Sequence, residues 1–336
     1  MAKIRYLNCL DILNLKKLVS HLTDENFFAC TKELILHPLA VINYTLPLPL
    51  KFLADSFVAV QNGCLKGMIS VKLKENNNSK CRITKLLLDE NAYETGEQLI
   101  DYTVSRYGAR GIETVEVVIN SEEKDMIELF SKACGFRYCL DYQTYKLKPD
   151  NYPKNSSCSE SFIFRPFKSS DAKEVTELYN QNIVTYYKFP LSKCANEFKD
   201  KVFQGLSKNS TFKYVLDDKY VKQIRGYLKI ETDNNKNYLL EIILLPSYEN
   251  YFNEMIKFAL SQLSRRTNDF NLYFKNNRFH SNSKEFEDLL KAQDAELIQT
   301  DMIFVKDFFK QIKSDETLIK PAIIYNELNG KPVFKI

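Results

Sequence analysis

The chain has 336 residues, 44% hydrophobic and 27% charged, which is enough apolar content for a sizeable core and more length than one typical domain needs. Its 47 basic and 43 acidic residues leave a net charge of +4, too balanced to mark a nucleic-acid surface and no obstacle to an anionic ligand. The most apolar stretch, residues 34–60, is broken by His37, Pro38, Asn43, Pro47, Pro49, Lys51 and Asp55, which excludes an uninterrupted bilayer span there.

The opening MAKIRYLNCLDILNLKKL lacks a compact apolar run followed by small residues, so secretion is not expected and a cytoplasmic location is. Eight cysteines are scattered without a CxxC pair in a chain too large to need staples, so reduced thiols are expected. The three histidines have no zinc-motif spacing, and no metal is expected.

Taken in chain order, the elements occur twice. IRYLNCLDILNLKKLV and FRPFKSSDAKEVTELY both read as a strand, then an Asp-marked turn, then an amphipathic helix. Arg5 precedes Asp11 by six residues and Arg165 precedes Asp171 by six. Each Asp suits a helix N-cap. Two strands around a turn follow, FVAVQNGCLKGMISVKL (57–73) and YVLDDKYVKQIRGYLKI (214–230), with Gly67 and Gly226 at the head of the second strand. Asn-rich loops at 74–80 and 231–237 lead back into the apolar strands CRITKLLLD and YLLEIILLP, as hairpin connections do. Helices at 97–107 and 254–263, strands at 114–119 and 270–274, a second helix, and closing strands at 142–147 and 301–306 complete each copy. The Pro, Ser and Asn content of 149–161 marks a linker. It separates a domain at 1–148 from one at 162–313, with a tail at 314–336 that could form a hairpin at Asn329-Gly330. Each half is therefore α/β (α+β), a mixed, partly antiparallel sheet with helices on both faces.

This order of elements, with FRPFKSSDAKEVTELY as its best single piece, resembles the GNAT superfamily of acyl-CoA-dependent N-acyltransferases, present as a tandem pair over nearly the whole chain. In that family a central strand ends in Val-x-Pro, and Gln/Arg-x-x-Gly-x-Gly/Ala then opens a helix whose backbone amides approach the CoA pyrophosphate. The matching stretch of the first half is Leu88-Asp89-Glu90, then Tyr93 to Gln98, which keeps Gly96 alone of the two small residues. In the second half Pro246 survives, but Phe252 stands where the glycine belongs, between Glu249 and Glu254. The resemblance therefore implies acetyl-CoA as cosubstrate in the first half, held by Leu86, Leu88, Tyr93, Glu94, Thr95, Gly96, Glu97 and Gln98, with the second half shaping the acceptor site. Glu94 and Glu97 also suit the first turn of any helix, where the macrodipole favours acidic residues.

The family's reaction is attack of a neutral amine on the thioester, aided by a proton donor, commonly a Tyr ahead of a Gly-Phe pair. Here Gly135-Phe136 is that pair, and Phe130 and Ser131 stand where the Tyr is expected. The candidates left are Ser131, Tyr138 just downstream and, as a base, Glu241 in the apolar run YLLEIILL. An edge Glu facing water is the plainer reading of Glu241. The resulting expectation is an N-acyltransferase acting on an amine of a small molecule or peptide. Two alternatives stand beside it: a catalytically silent tandem fold that binds a ligand or a protein, and a transferase resembling the Fem type, which would call for a more basic surface.

Overall fold

A computed structural model describes residues 2–8, 11, 14, 54–74, 79–89, 93–148, 162–199, 210–221, 223–232, 235–267 and 269–308. The linker at 149–161, the tail at 314–336, Glu90 and the helix expected after Asp11 lie outside the described residues.

The first half supplies β1 (Lys3–Tyr6), β2 (Asp55–Gln61), β3 (Cys64–Leu73), β4 (Lys80–Leu88), helix α1 (Tyr93–Ala109), β5 (Thr114–Asn120), the short helix α2 (Lys124–Glu128), which runs on into a π-helical turn at Leu129–Ala133, and β6 (Arg137–Leu147). The second half supplies β7 (Phe162–Pro166), α3 (Ala172–Asn182), the single turns α4 (Lys188–Leu191) and α5 (Ala195–Phe198), β8 (Ser210–Asp218), β9 (Ile224–Thr232), β10 (Asn237–Leu244), α6 (Phe252–Ser264), β11 (Asn271–Asn277), α7 (Ser283–Ala292) and β12 (Glu296–Asp307).

The twelve strands of the described residues form one sheet in the order β1-β2-β3-β4-β5-β12-β6-β11-β10-β9-β8-β7. The two halves exchange their closing strands. β12 lies along the full length of β5, from Asp307 opposite Thr114 to Asp301 opposite Asn120, while β6 lies along β11 from Leu147 opposite Leu272 to Tyr142 opposite Asn277. β6 and β12 pair with each other antiparallel at the centre. The strand order reads the same from either end once corresponding strands are matched. The exchange is reinforced by side chains, because Arg137 at the start of β6 and Thr114 on β5 both bond Asp307 on β12.

Residues opposite one another in register share a face of the sheet, so the layers can be assigned. On one face α1 and the α2 turn pack on β2–β5 through Leu99, Ile100, Val104, Leu129 and Phe130. On the same face α6 and α7 pack on β8–β11 through Met255, Ile256, Ala259 and Phe286. The opposite face carries α3 and the turns after it, over β8–β10 and the exchanged strands, through Val175, Leu178, Tyr179, Ile243, Ile303 and Val305.

The matched glycines have matched reasons. A Cβ on Gly67 would lie 3.0 Å from Leu88, and one on Gly226 would lie 2.8 Å from Leu244. Each glycine lets the leucine at the end of the next strand close under its helix. The left-handed turn after the second helix is also repeated, with Gly135 at φ +67 in one half and Asp294 at φ +53 in the other.

The N-cap expectation is corrected for Asp171, and for Asp11 the helix lies outside the described residues. Asp11 accepts Arg5 in a two-point ion pair, 2.7 Å at each oxygen, and also takes the amide of Asn8. Asp171 likewise takes Arg165 and the amide of Lys168, and it makes no side-chain bond to the first turn of α3. The Asp171 carboxylate closes the turn before α3, because Arg165 six residues back outcompetes the helix amides.

Because β5 and β11 each depend on a strand from the other half, separate fragments covering 1–148 and 149–336 are expected to lack a cooperative thermal transition on their own and to regain one when mixed. Calorimetry of each fragment and of the equimolar mixture checks this, and a sharp transition in either fragment alone would refute it.

Candidate active site at the junction of the halves

The parallel pair β4 and β5 is joined only from Lys80–Thr114 to Ile83–Val117, although β4 runs on to Leu88 and β5 to Asn120. Beyond that point the strands part. The end of β4 is held by β3 through Gly67, Met68 and Ile69, and the end of β5 by β12. The corresponding pair in the second half, β10 and β11, separates after Glu241–Lys275.

The two openings differ in what fills them. At the end of β10, Leu240 to Leu244 are all buried. There Asn277 donates to the Glu241 carboxylate at 2.8 Å and the buried Asn282 donates to the Leu244 carbonyl at 3.0 Å, so side-chain amides already occupy that gap. At the end of β4, Lys85, Leu86 and Leu88 are each half-buried. Thr84, the first residue past the ladder, is exposed.

The expected cofactor residues are arranged around this opening unevenly. Tyr93 and Glu94 are exposed, Thr95 and Gly96 buried, and Glu97 and Gln98 half-buried. Gln98 accepts the Ala2 amide at 3.4 Å and so faces the first strand. A Cβ on Gly96 would meet Leu88 at 2.8 Å and Leu129 at 3.1 Å. The visible reason for this glycine is therefore packing of α1 onto β4 and the α2 turn.

The candidate acid–base residues are also separated. Ser131 donates to the Ile127 carbonyl at 2.6 Å within its own helix. Tyr138 donates to Asp141 at 2.6 Å, and its hydroxyl is pushed up first by burial and then by that carboxylate. Glu241 is buried, which corrects the plainer expectation of an edge residue facing water. Burial by itself would raise its pKa, but Lys193, Lys275, Lys229 and the Asn277 amide outweigh burial and hold it well below the usual carboxylate range. A carboxylate so strongly held in its ionised form is a weak base.

Glu241 belongs to a larger polar array on the face that carries α3. Arg82 stands opposite Glu116 across β4 and β5. Glu241 stands opposite Lys275 and Lys229, and Tyr142 opposite Asn277 and Asp301. The buried Glu116 accepts both Lys74 and Arg82. Burial opposes its ionisation, yet these two cations bring it down to about 2. Tyr142, on the exchanged strand β6, lies between the strands that carry the two carboxylates, β5 and β10. Tyr179 of α3 covers the array and is buried with them.

The second half also reaches across to β4. Buried Lys80 donates to the carbonyls of Phe189, Pro190 and Ser192, which are the orphan acceptors at the end of α4. A partial signal for the array was present in the sequence, since Glu116, Glu241 and Lys275 are each the lone charge of their strand. Their convergence required the exchange of strands.

Five described cysteines are free thiols. Burial pushes Cys81 and Cys134 up to about 12, so neither is a poised nucleophile. No group of three metal-binding side chains occurs among the described residues, and no helix among them is long and apolar enough to cross a membrane.

With this geometry in hand, solved structures provide the comparison. A tandem GNAT protein from the clavulanic acid biosynthesis pathway superimposes with a TM-score of 0.60, covering 91% of this chain and 98% of its own at 11% identity. This chain has the tandem GNAT fold. A GCN5-related N-acetyltransferase from Sphaerobacter thermophilus gives a TM-score of 0.56 at 12% identity, with 91% and 95% of the two chains covered. Another from Anabaena variabilis gives 0.51 at 14%, with 91% and 73% covered. The sequence matches no protein-family model and no curated protein.

Replacing Glu116 with Gln leaves Arg82 and Lys74 facing a neutral amide, so Glu116→Gln is expected to lose roughly 2–4 kcal/mol of stability at pH 7, short of a fully buried pair because Arg82 is half exposed. A carboxylate with a depressed folded pKa contributes fully above its unfolded value of about 4.3 and loses its contribution as pH falls towards the folded one. Urea unfolding of both proteins should show the gap constant from pH 7 to about 5 and narrowing below about 4.

Proposed function

We propose that the protein is an N-acyltransferase that moves an acyl group, acetyl in the simplest case, from acyl-CoA to an amine, with the thioester held by the first half. The supporting observation is the asymmetry of the two openings. The ladder between β4 and β5 stops at Ile83–Val117 with the end of β4 half exposed, whereas Asn277 and Asn282 close the other gap.

The Asp89 amide bonds the Lys66 carbonyl on β3. Strand alternation therefore turns the amides of Leu88 and Leu86 to the other side, towards the opening. The amide-bearing arm of CoA can bond there in the manner of an added strand. Next to the last ladder pair, Arg82 and Lys74 present positive charge on the acceptor face.

In the reaction the amine nitrogen forms a C–N bond to the thioester carbonyl carbon and the C–S bond breaks. The proton lost by nitrogen leaves through solvent, and the departing thiolate takes one up to become the CoA thiol. Neighbouring cations lower the pKa of an acceptor ammonium and so increase its neutral fraction. They also stabilise the developing thiolate. An array of this kind supports transfer through its field, without the family's tyrosine and without a strong base.

Titration calorimetry with acetyl-CoA tests this reading. Saturable binding is expected, weakened at least tenfold by Thr84→Trp, which sets an indole at the exposed residue where the β4–β5 ladder ends, and unchanged by Tyr248→Ala in the second half. No binding at millimolar ligand would favour the silent, ligand- or protein-binding alternative.

A further inference from the structure

The central array contains cations that no described carboxylate takes in a hydrogen bond or close ion pair. Glu116 takes Lys74 and Arg82, Glu231 takes Lys229 at 2.7 Å, Asp301 takes the Gln299 amide, and Glu241 takes the Asn277 amide. Lys193 and Lys275 remain, and among the described residues neither ammonium has a hydrogen-bond acceptor. Both are held on aromatic faces instead. The Lys275 Nζ lies 3.9 Å from the centre of the Tyr142 ring, and the Lys193 Nζ lies 4.1 Å from Tyr179 and 5.3 Å from Phe198.

An ammonium has three donors, and a ring face satisfies charge but accepts no conventional hydrogen bond. Both lysines are half-buried, so neither is simply a solvated surface cation. Lys275 is already lowered, first by desolvation and then by Lys193, Arg82 and Lys229, against the opposing effect of Glu241. A second observation marks the same place. The buried His280 has an Nε2 with no hydrogen-bond partner. Its ring lies against Tyr179, with centroids 5.1 Å apart. Burial, Lys193 and Lys275 outweigh Glu241 and push its pKa down to about 3, so the ring is neutral.

Resting on the acyltransfer reading above, we propose that the acceptor is an amine that also carries a carboxylate, and that Lys193 and Lys275 hold this carboxylate on the face of the sheet that carries α3. The amine end then points along the array, past Tyr142, to Arg82 and the β4–β5 opening. Two lysines suit one carboxylate, since each retains the field of Glu241 behind it. A doubly charged phosphate would face Glu241, Glu116 and Asp301 together. The acylated product keeps its carboxylate, while the amine nitrogen exchanges one hydrogen for the acyl carbon and CoA leaves as the thiol.

The test uses the full chain with succinate as an unreactive carboxylate probe and inorganic phosphate as its rival, each titrated calorimetrically in parallel with acetyl-CoA. Succinate should bind saturably and more tightly than phosphate. Lys275→Met and, separately, Lys193→Met should each weaken it at least tenfold, while acetyl-CoA affinity stays within twofold and Lys275→Arg retains most of the succinate binding. Release of CoA thiol should then be faster with glycine and β-alanine than with their amides. Succinate binding that is absent, or equal in wild type and both Met variants, overturns the proposal, as does preference for phosphate. If succinate binds in a lysine-dependent way but acetyl-CoA does not bind at all, the anion site stands and the acyltransfer reading falls.

Discussion

The structure depends on a simple backbone constraint: two adjacent strands can part inside a sheet only if each keeps a hydrogen-bonded neighbour on its other side. An unpaired buried amide or carbonyl costs about 1–3 kcal/mol, so several in a row would not be tolerated. In the first half, β3 holds the free end of β4 and β12 holds the free end of β5. In the second, β9 and β6 serve β10 and β11 in the same way. The supporting strands β12 and β6 come from opposite halves, so neither opening is complete within its own segment of chain.

The same exchange builds the polar array. Tyr142 belongs to the first half by sequence but stands beside Asn277 and Lys275 of the second. Lys80 of the first half caps the α4 turn of the second. The array therefore draws its residues from both halves and from the exchanged strands. A polar array of this size is stable in the sheet because Glu116 and Glu241 each have charged or amide partners, and buried charge without partners is severely penalised.

The halves share packing rules and differ in what occupies the opening. Leu88 over Gly67 and Leu244 over Gly226 are the same contact made twice, and the left-handed turn persists even where Asp294 replaces a glycine. At the openings the copies diverge. Asparagine side chains bond across the second, and the strand end of the first stays half exposed. Loss of the glycine at Phe252 agrees with this closure, since that ring is buried and stacks on Phe286, 4.6 Å away.

By itself the sequence determined what local pattern can encode: the duplicated order of strands and helices, the glycines at 67 and 226, the helix over 97–107, and the thiols with no reactive setting. These follow from side-chain period and backbone freedom, which are properties of neighbouring residues. It also pointed to Glu241 through the oddity of a lone acid in an apolar strand. Only the tertiary structure decided that Asp11 and Asp171 serve arginines, that Gly96 faces Leu88, and that Ser131 is bonded within its helix. It alone brought Arg82, Glu116, Tyr142, Lys193, Lys275 and His280 together. Those residues span from 82 to 280 in the chain, and their meeting depends on which strand lies beside which. That order is fixed by long-range hydrogen bonding across an exchanged sheet, and no local period in the sequence records it.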